Sequence, residues 1–164
     1  MATTTSKRIL LKVNGAERPI FEAKANVALT PGELLAWSAD DELDPHGTAG
    51  GNAQPMFCVE NPYDDDNTVA AIDSDYALAD TARYVVAQPG DEVYAFIAAG
   101  ESVAKGDPLE SDGAGALQAH TAPSIDESGT ATTTIYHRAI VGWAAEDKDN
   151  SGGGSRVRIR VSVA

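Results

Sequence analysis

Leu29-Thr30-Pro31-Gly32-Glu33-Leu34-Leu35-Ala36-Trp37-Ser38-Ala39-Asp40-Asp41-Glu42-Leu43-Asp44-Pro45-His46 returns 74 residues later, without a gap, as Val103-Ala104-Lys105-Gly106-Asp107-Pro108-Leu109-Glu110-Ser111-Asp112-Gly113-Ala114-Gly115-Ala116-Leu117-Gln118-Ala119-His120. Gly32 falls on Gly106, Leu35 on Leu109, Leu43 on Leu117 and His46 on His120, while Leu29 with Val103 and Glu33 with Asp107 are conservative pairs. The matches sit on the turn glycine and on apolar residues that would face a core. In each copy a polar turn leads into a short strand, a polar hairpin tip and a second short strand. Each copy is followed by a loop and an apolar run, Met56-Phe57-Cys58-Val59-Glu60 and Ile140-Val141-Gly142-Trp143-Ala144, with about ten more residues inserted in the second. A duplicated small β unit, spanning about 27–61 and 101–146 and folded into a barrel-like body, accounts for this pattern.

Working outward, the rest of the chain reads the same way. Apolar residues come in short runs or alternate with polar ones, and Gly, Pro, Asn or Asp closes the runs about every ten residues, which is the β pattern. Arg8 to Val13 forms a first strand stopped by Asn14-Gly15, a strong turn dipeptide. Arg83 to Ala87 and Glu92 to Ala98 flank Pro89-Gly90-Asp91 and are expected to pair as a hairpin. The final strand alternates strictly, with Val157, Ile159, Val161 and Val163 on one face and Arg156, Arg158, Arg160 and Ser162 on the other. One face packs, and the other presents a row of guanidinium groups for ion pairing, within the subunit or towards a neighbour.

Helix signals are few. Asp64-Asp65-Asp66-Asn67 before Thr68-Val69-Ala70-Ala71-Ile72 suits the cap of at most one short helix. Gly47 to Pro55 and Pro123 to Thr134 read as loops, and Gly152-Gly153-Gly154 as the tip of a mobile hairpin. The fold class is therefore all-β: one small barrel-like domain over residues 8–164, preceded by a flexible arm over 1–7.

At 164 residues the chain is long enough to bury roughly 70% of the surface its unfolded form exposes, with no metal or disulfide required. The single Cys58 has no internal bridging partner and reads as a small buried apolar residue. No apolar run approaches the ~20 residues of a membrane span, and the small polar residues Met1 to Ser6 show no signal-peptide pattern.

Charge is unevenly spread. Between Asp40 and Glu127 stand 19 acids against only Arg83 and Lys105, whereas the two ends hold 10 basic residues against 6 acidic ones. So acidic a middle repels phosphate backbones and disfavours nucleic-acid binding. A solvated, solubilising exterior explains it; adaptation to high salt is the sharper alternative.

Catalytic constellations are missing from the pattern. His46, His120 and His137 have no second His or Cys at ligand spacing, which a metal site with three or four convergent ligands would need. There is no nucleophile elbow, no phosphate-binding glycine loop and no His-Glu-x-x-His helix. Asp147-Lys148-Asp149-Asn150-Ser151-Gly152 opens like a calcium loop, but Arg158 stands where the bidentate Glu belongs. No enzyme, cofactor or metal is expected.

Several segments together resemble the capsid decoration (cement, head-stabilising) proteins of tailed bacterial and archaeal viruses. They are Pro89-Gly90-Asp91-Glu92-Val93-Tyr94-Ala95, Gly100 to Ser111, Gly115-Ala116-Leu117-Gln118, and Ala139 to Ala144 before a basic alternating last strand; the similarity covers about two-thirds of the chain. The resemblance implies a β-barrel or β-tulip subunit that trimerises on the outer capsid face and clamps major capsid proteins. It also implies that Ala2 to Lys7 order against a capsid strand by edge addition. Combined with the charge pattern, it nominates Lys7, Arg8, Lys12, Arg156, Arg158 and Arg160 as the capsid or subunit interface. Neither nucleic acid nor membrane is expected as a partner. The rival reading is a β-clip-like carbohydrate-binding or enzyme-associated module, because Val-x-x-Gly-Asp-Pro-Leu also occurs there; it would need a pocket with convergent polar groups.

Overall fold

The computed structural model describes residues 6–63, 69–122 and 136–164. Its strands are β1 (Leu10–Lys12), β2 (Ile20–Lys24), β3 (Leu35–Trp37), β4 (Leu43–Pro45), β5 (Met56–Cys58), β6 (Thr81–Val86) and β7 (Glu92–Ile97). They continue as β8 (Ser102–Val103), β9 (Pro108–Ser111), β10 (Leu117–Ala119), β11 (Gly142–Ala144), β12 (Lys148–Asp149) and β13 (Val157–Val163). The second half closes into a five-stranded barrel in the order β7-β10-β9-β11-β13, with β13 pairing back onto β7. Strand β1 adds to β7, Leu10 lying opposite Val93.

The first half repeats this plan more loosely. β2, β6 and β5 form a sheet and β3 and β4 a hairpin. Single bridges, Ala25 to Leu43 and Leu34 to Phe57, join them in the same cyclic order.

Pairing register shows how close the two units are. In the first hairpin Leu35, Ala36 and Trp37 face Pro45, Asp44 and Leu43; in the second, Leu109, Glu110 and Ser111 face Ala119, Gln118 and Leu117. Each of these pairs maps onto its counterpart at the offset of 74 read from the sequence. The turns match too: the Glu33 carboxylate accepts the Thr30 N–H as the Asp107 carboxylate accepts the Ala104 N–H, both at 2.8 Å. His46 N–H bonds to Leu34 C=O and His120 N–H to Pro108 C=O, again both at 2.8 Å. The matched pairing also takes in strands beyond 27–61 and 101–146, since Phe21 faces Tyr84 as Val93 faces Val161. In the apolar runs, Gly142-Trp143-Ala144, not Ile140-Val141-Gly142, is the counterpart of Met56-Phe57-Cys58: Cys58 N–H bonds to Glu33 C=O as Ala144 N–H bonds to Asp107 C=O. A two-residue shift preserves which face each side chain occupies, so alternation alone does not resolve it.

Two apolar clusters follow. Val93, Ala95, Ile97, Leu109, Leu117, Ile159, Val161 and Val163 are buried in a cluster that also contains Leu34, Phe57 and Val85 of the first unit, so one core joins both halves. Ala25, Leu29, Leu35, Leu43, Met56, Cys58, Tyr76, Ala82 and Tyr84 form the other. Each fully buried Leu, Ile or Phe contributes about 1.5–3 kcal/mol, so these strands are held by side-chain burial rather than by length.

One local expectation changes. The Gln88–Asp91 turn forms, closed by Asp91 N–H to Gln88 C=O at 2.9 Å with Gly90 at φ 88°, yet β6 and β7 do not pair. β6 lies between β2 and β5, while β7 lies against β13, β1 and β10, so the turn hands the chain from one unit to the next. Among the described residues there is no helix: 70–73 make a single turn, closed by Asp73 N–H to Ala70 C=O. The proposed cap Asp64 to Asn67 lies outside the described residues, as do Met1 to Thr5 of the arm and the Pro123 to Thr134 loop. The Gly-rich run lies in the loop that joins the antiparallel strands β11 and β13, where β12 pairs with β8 and the Asn150 side-chain amide donates to the carbonyls of Ala98 and Ser155.

Candidate functional site

The six nominated basic residues fall into two groups. Arg158 on β13 and Arg156 immediately before it project across the junction between the units. Arg156 pairs with Glu33 and donates to Thr30 Oγ1 at 2.9 Å. Arg158 donates from Nε to the Pro31 carbonyl at 3.0 Å and pairs with Asp73 at 2.6 Å. Both guanidiniums stack over the Phe96 ring, at 4.4 and 4.5 Å from its centroid, where cation–π attraction adds to the hydrogen bonds. Burial pushes the Glu33 carboxyl above its ordinary value, against the opposing pull of the Thr30 N–H and Arg156. Arg160 pairs with Glu146 at 3.1 Å in a more exposed setting. Arg156 and Arg158 thus form an internal bolt between the two units, while Arg160 pairs within the second.

Lys7, Arg8 and Lys12 form the second group. With Leu10, Leu11, Glu17, Arg18, Ile20, Glu60 and Arg83 they line one open groove between β1 and β2. Lys12 reaches Glu92 at 3.7 Å in an exposed pair, a contact of little energetic weight.

The remaining polar candidates are occupied by structure. Buried His46 lies 2.8 Å from Ser111 Oγ through Nδ1 and 3.0 Å from the Asn52 carbonyl through Nε2. His120 pairs with Glu110. In the calcium-like run, the Asp149 carboxylate accepts both the N–H and the hydroxyl of Ser151, and the Asp147 carboxylate accepts the Lys105 N–H. A recess is lined by Glu22, Asn61, Tyr63, Tyr76, Asp80 and Thr81, and several of its polar side chains already have partners within the chain. Tyr63 donates to Glu22 at 2.8 Å, Asn61 to the Asp75 carbonyl, and Asp80 accepts the Ala77 N–H. Among the described residues, no group of three or more His, Cys, Asp or Glu is placed to hold a metal ion, and no helix is long and apolar enough to cross a membrane.

What the charge-based reading missed is aromatic. Phe21 stacks on Tyr84 at 5.5 Å between centroids and Trp37 meets Tyr84 edge-on at 5.6 Å, yet Phe21 is 43% and Trp37 47% exposed. Trp143 on β11 is 41% exposed. Strand β2 ends its sheet, so among the described residues its edge opposite β6 is unpaired along Ile20–Lys24. Open edges and exposed aromatics are adhesive features. The available signal was the chain's two tryptophans, one in each copy of the repeat.

No protein-family model and no curated protein sequence matches the chain. Among solved structures, the fold is similar to that of the N base of head fiber gp8.5 in bacteriophage phi29, at 18% sequence identity and a TM-score of 0.50, over 89% of this chain and 95% of that one.

Proposed function

We propose that this chain is a structural, non-enzymatic subunit of a tailed-virus head, attached as a homotrimer to the major capsid protein on the outer capsid surface. The observation that carries the reading is the fold shared, over nearly the full length of both chains, with the base of a phage head fiber. The surface supports it: an open strand edge, exposed aromatics and a basic groove belong to a molecule that adheres. Lys7, Arg8 and Lys12 face the capsid lattice from that groove, and the acidic middle of the chain faces solvent. The 1–7 arm orders against a capsid strand. Symmetric repetition then multiplies modest contacts into high avidity.

Mass spectrometry of purified virions tests the placement directly; absence of the chain from particles rejects it. Deleting Met1 to Arg8 removes the arm and two of the groove cations. Occupancy on isolated capsids is expected to fall at least about tenfold, a loss of about 1.4 kcal/mol, with the fold retained. Unchanged occupancy rejects the arm and groove as the attachment surface.

A further inference from the structure

The internal repeat makes the junction between the two units a template for a second junction. On the first unit, the flank facing the second is the Pro31-Gly32-Glu33-Leu34 turn, all buried, with Phe57 beside it at 0% exposure. On the second unit, the flank facing the first comprises Arg156 and Arg158 over Phe96 and, beside them, the β9–β10 hairpin, where Glu110, Ser111, Gly115 and Ala116 are buried. Backbone bonds stitch the two flanks together, Leu34 N–H to Gly115 C=O at 2.8 Å and Gly115 N–H to His46 C=O at 3.3 Å, and His46 meets Ser111.

Among the described residues, each flank has a counterpart that is open. The second unit's own turn, Ala104-Lys105-Gly106, is exposed, although it matches the buried Pro31 turn bond for bond. The first unit's own hairpin tip, Ala39 to Asp41, is exposed throughout, whereas in its counterpart, Gly113 to Gly115, Gly115 is buried and Gly113 half-buried. The two tryptophans mark these open flanks. Trp143 holds the position of Phe57, which is 0% exposed, and is itself 41% exposed; Trp37 holds the position of Ser111, also 0% exposed, and is itself 47% exposed. Large aromatics are the side chains that dominate interface energetics, and here they stand where the internal junction has its buried contacts.

We infer that copies of this chain associate head to tail, the Trp143 flank of one copy seating on the Trp37 flank of the next and repeating the turn-to-hairpin part of the internal junction. Because the two flanks differ, the contact is heterologous, and it closes into a ring where the copy-to-copy rotation is a whole fraction of a turn. The inference deepens the self-association in the proposed function and rests on that part of it, but it does not depend on a capsid.

The test is light scattering of the purified 164-residue chain with no capsid present. The wild type is expected to assemble, and Trp37→Arg and Trp143→Arg are each expected to weaken self-association by at least about 30-fold, the scale of an interface hot spot. Unchanged circular dichroism shows that both variants remain folded. An equimolar mixture of the two variants retains one intact pair of flanks and is expected to form a dimer and nothing larger. A monomeric wild type, single variants that stay assembled, or a mixture that stays monomeric each overturns the inference. Failure of capsid attachment with these results intact would overturn only the proposed placement on a virus head.

Discussion

Arg18 grips Asp91 from both ends of its guanidinium, Nε to Oδ2 at 2.8 Å and Nη2 to Oδ1 at 3.1 Å, with the aspartate side chain fully buried. Asp91 closes the turn that leads from the first unit into the second, and it also accepts the N–H of Asn14 and of Gln88. One carboxylate therefore fastens the segment after β1, the inter-unit turn and the start of β7. Burial by itself would raise the Asp91 pKa, but the hydrogen bonds from Arg18, Asn14 and Gln88 outweigh it and hold the carboxyl below its ordinary 3.8.

The pH dependence follows from that direction. A carboxyl whose folded pKa is depressed contributes stability above its unfolded value, here near 3.8, and loses it as pH falls through the lower folded value. Asp91→Asn is expected to cost about 3 kcal/mol at neutral pH, because it strands a buried guanidinium. In urea unfolding, the gap between variant and wild type should stay constant down to pH 3.8 and close below it. A gap unchanged in acid would show that the charge of Asp91 is not what stabilises the turn.

The arginine row offers a contrast within one strand. Arg158 has a side chain 12% exposed and bonds to Pro31, Ile72 and Asp73, whereas Arg160 is 48% exposed and meets Glu146. Arg158→Ala is expected to destabilise by about 2–4 kcal/mol, since it leaves buried acceptors without a donor; Arg160→Ala should cost about 0–1 kcal/mol. Arg158→Lys should recover little, because an ammonium cannot span three acceptors while lying flat on Phe96. Chemical denaturation of the three variants checks the order.

Gly32 and Gly106 are equivalent in the repeat and not in their surroundings. Both have positive φ, 101° and 95°, so alanine strains either by about 1–2 kcal/mol. A Cβ on Gly32 would stand 3.0 Å from the Tyr94 carbonyl and 3.1 Å from Arg158 Nε, while one on Gly106 meets nothing within 4 Å. Gly32→Ala should therefore be the less stable variant by at least about 1 kcal/mol, the cost of overpacking. Thermal melts of the two single variants decide it.

Cys58 has no exposed surface. Burial pushes its thiol well above the ordinary value, helped by the carboxylates of Glu33, Asp75 and Glu60. Since the thiolate is the reactive species, the native protein is expected to ignore Ellman's reagent and to react with one equivalent of it once unfolded in urea. Rapid labelling of the folded protein would show that the second core opens.

Much of this protein is decided by neighbours in sequence. Period-two alternation assigns the faces of β13, turn residues place the Gly32, Gly90 and Gly106 bends, and the hairpins of the repeat keep one register because a tight turn sets it. Which strand lies beside which is another matter. The Gln88–Asp91 turn looks the same whether β6 and β7 pair or part, and only the burial of each strand between partners distant in sequence separates them. Whether Arg156 and Arg158 pair within the subunit or with a neighbour stays open in the sequence for the same reason: their acceptors, Glu33, Thr30, Pro31 and Asp73, arrive from the other unit. Phe57 and Trp143 share a position in the repeat, yet one is sealed and the other open. Local residues specify each unit, but burial at a junction depends on how the two units stack, and that is settled only when the whole chain has folded.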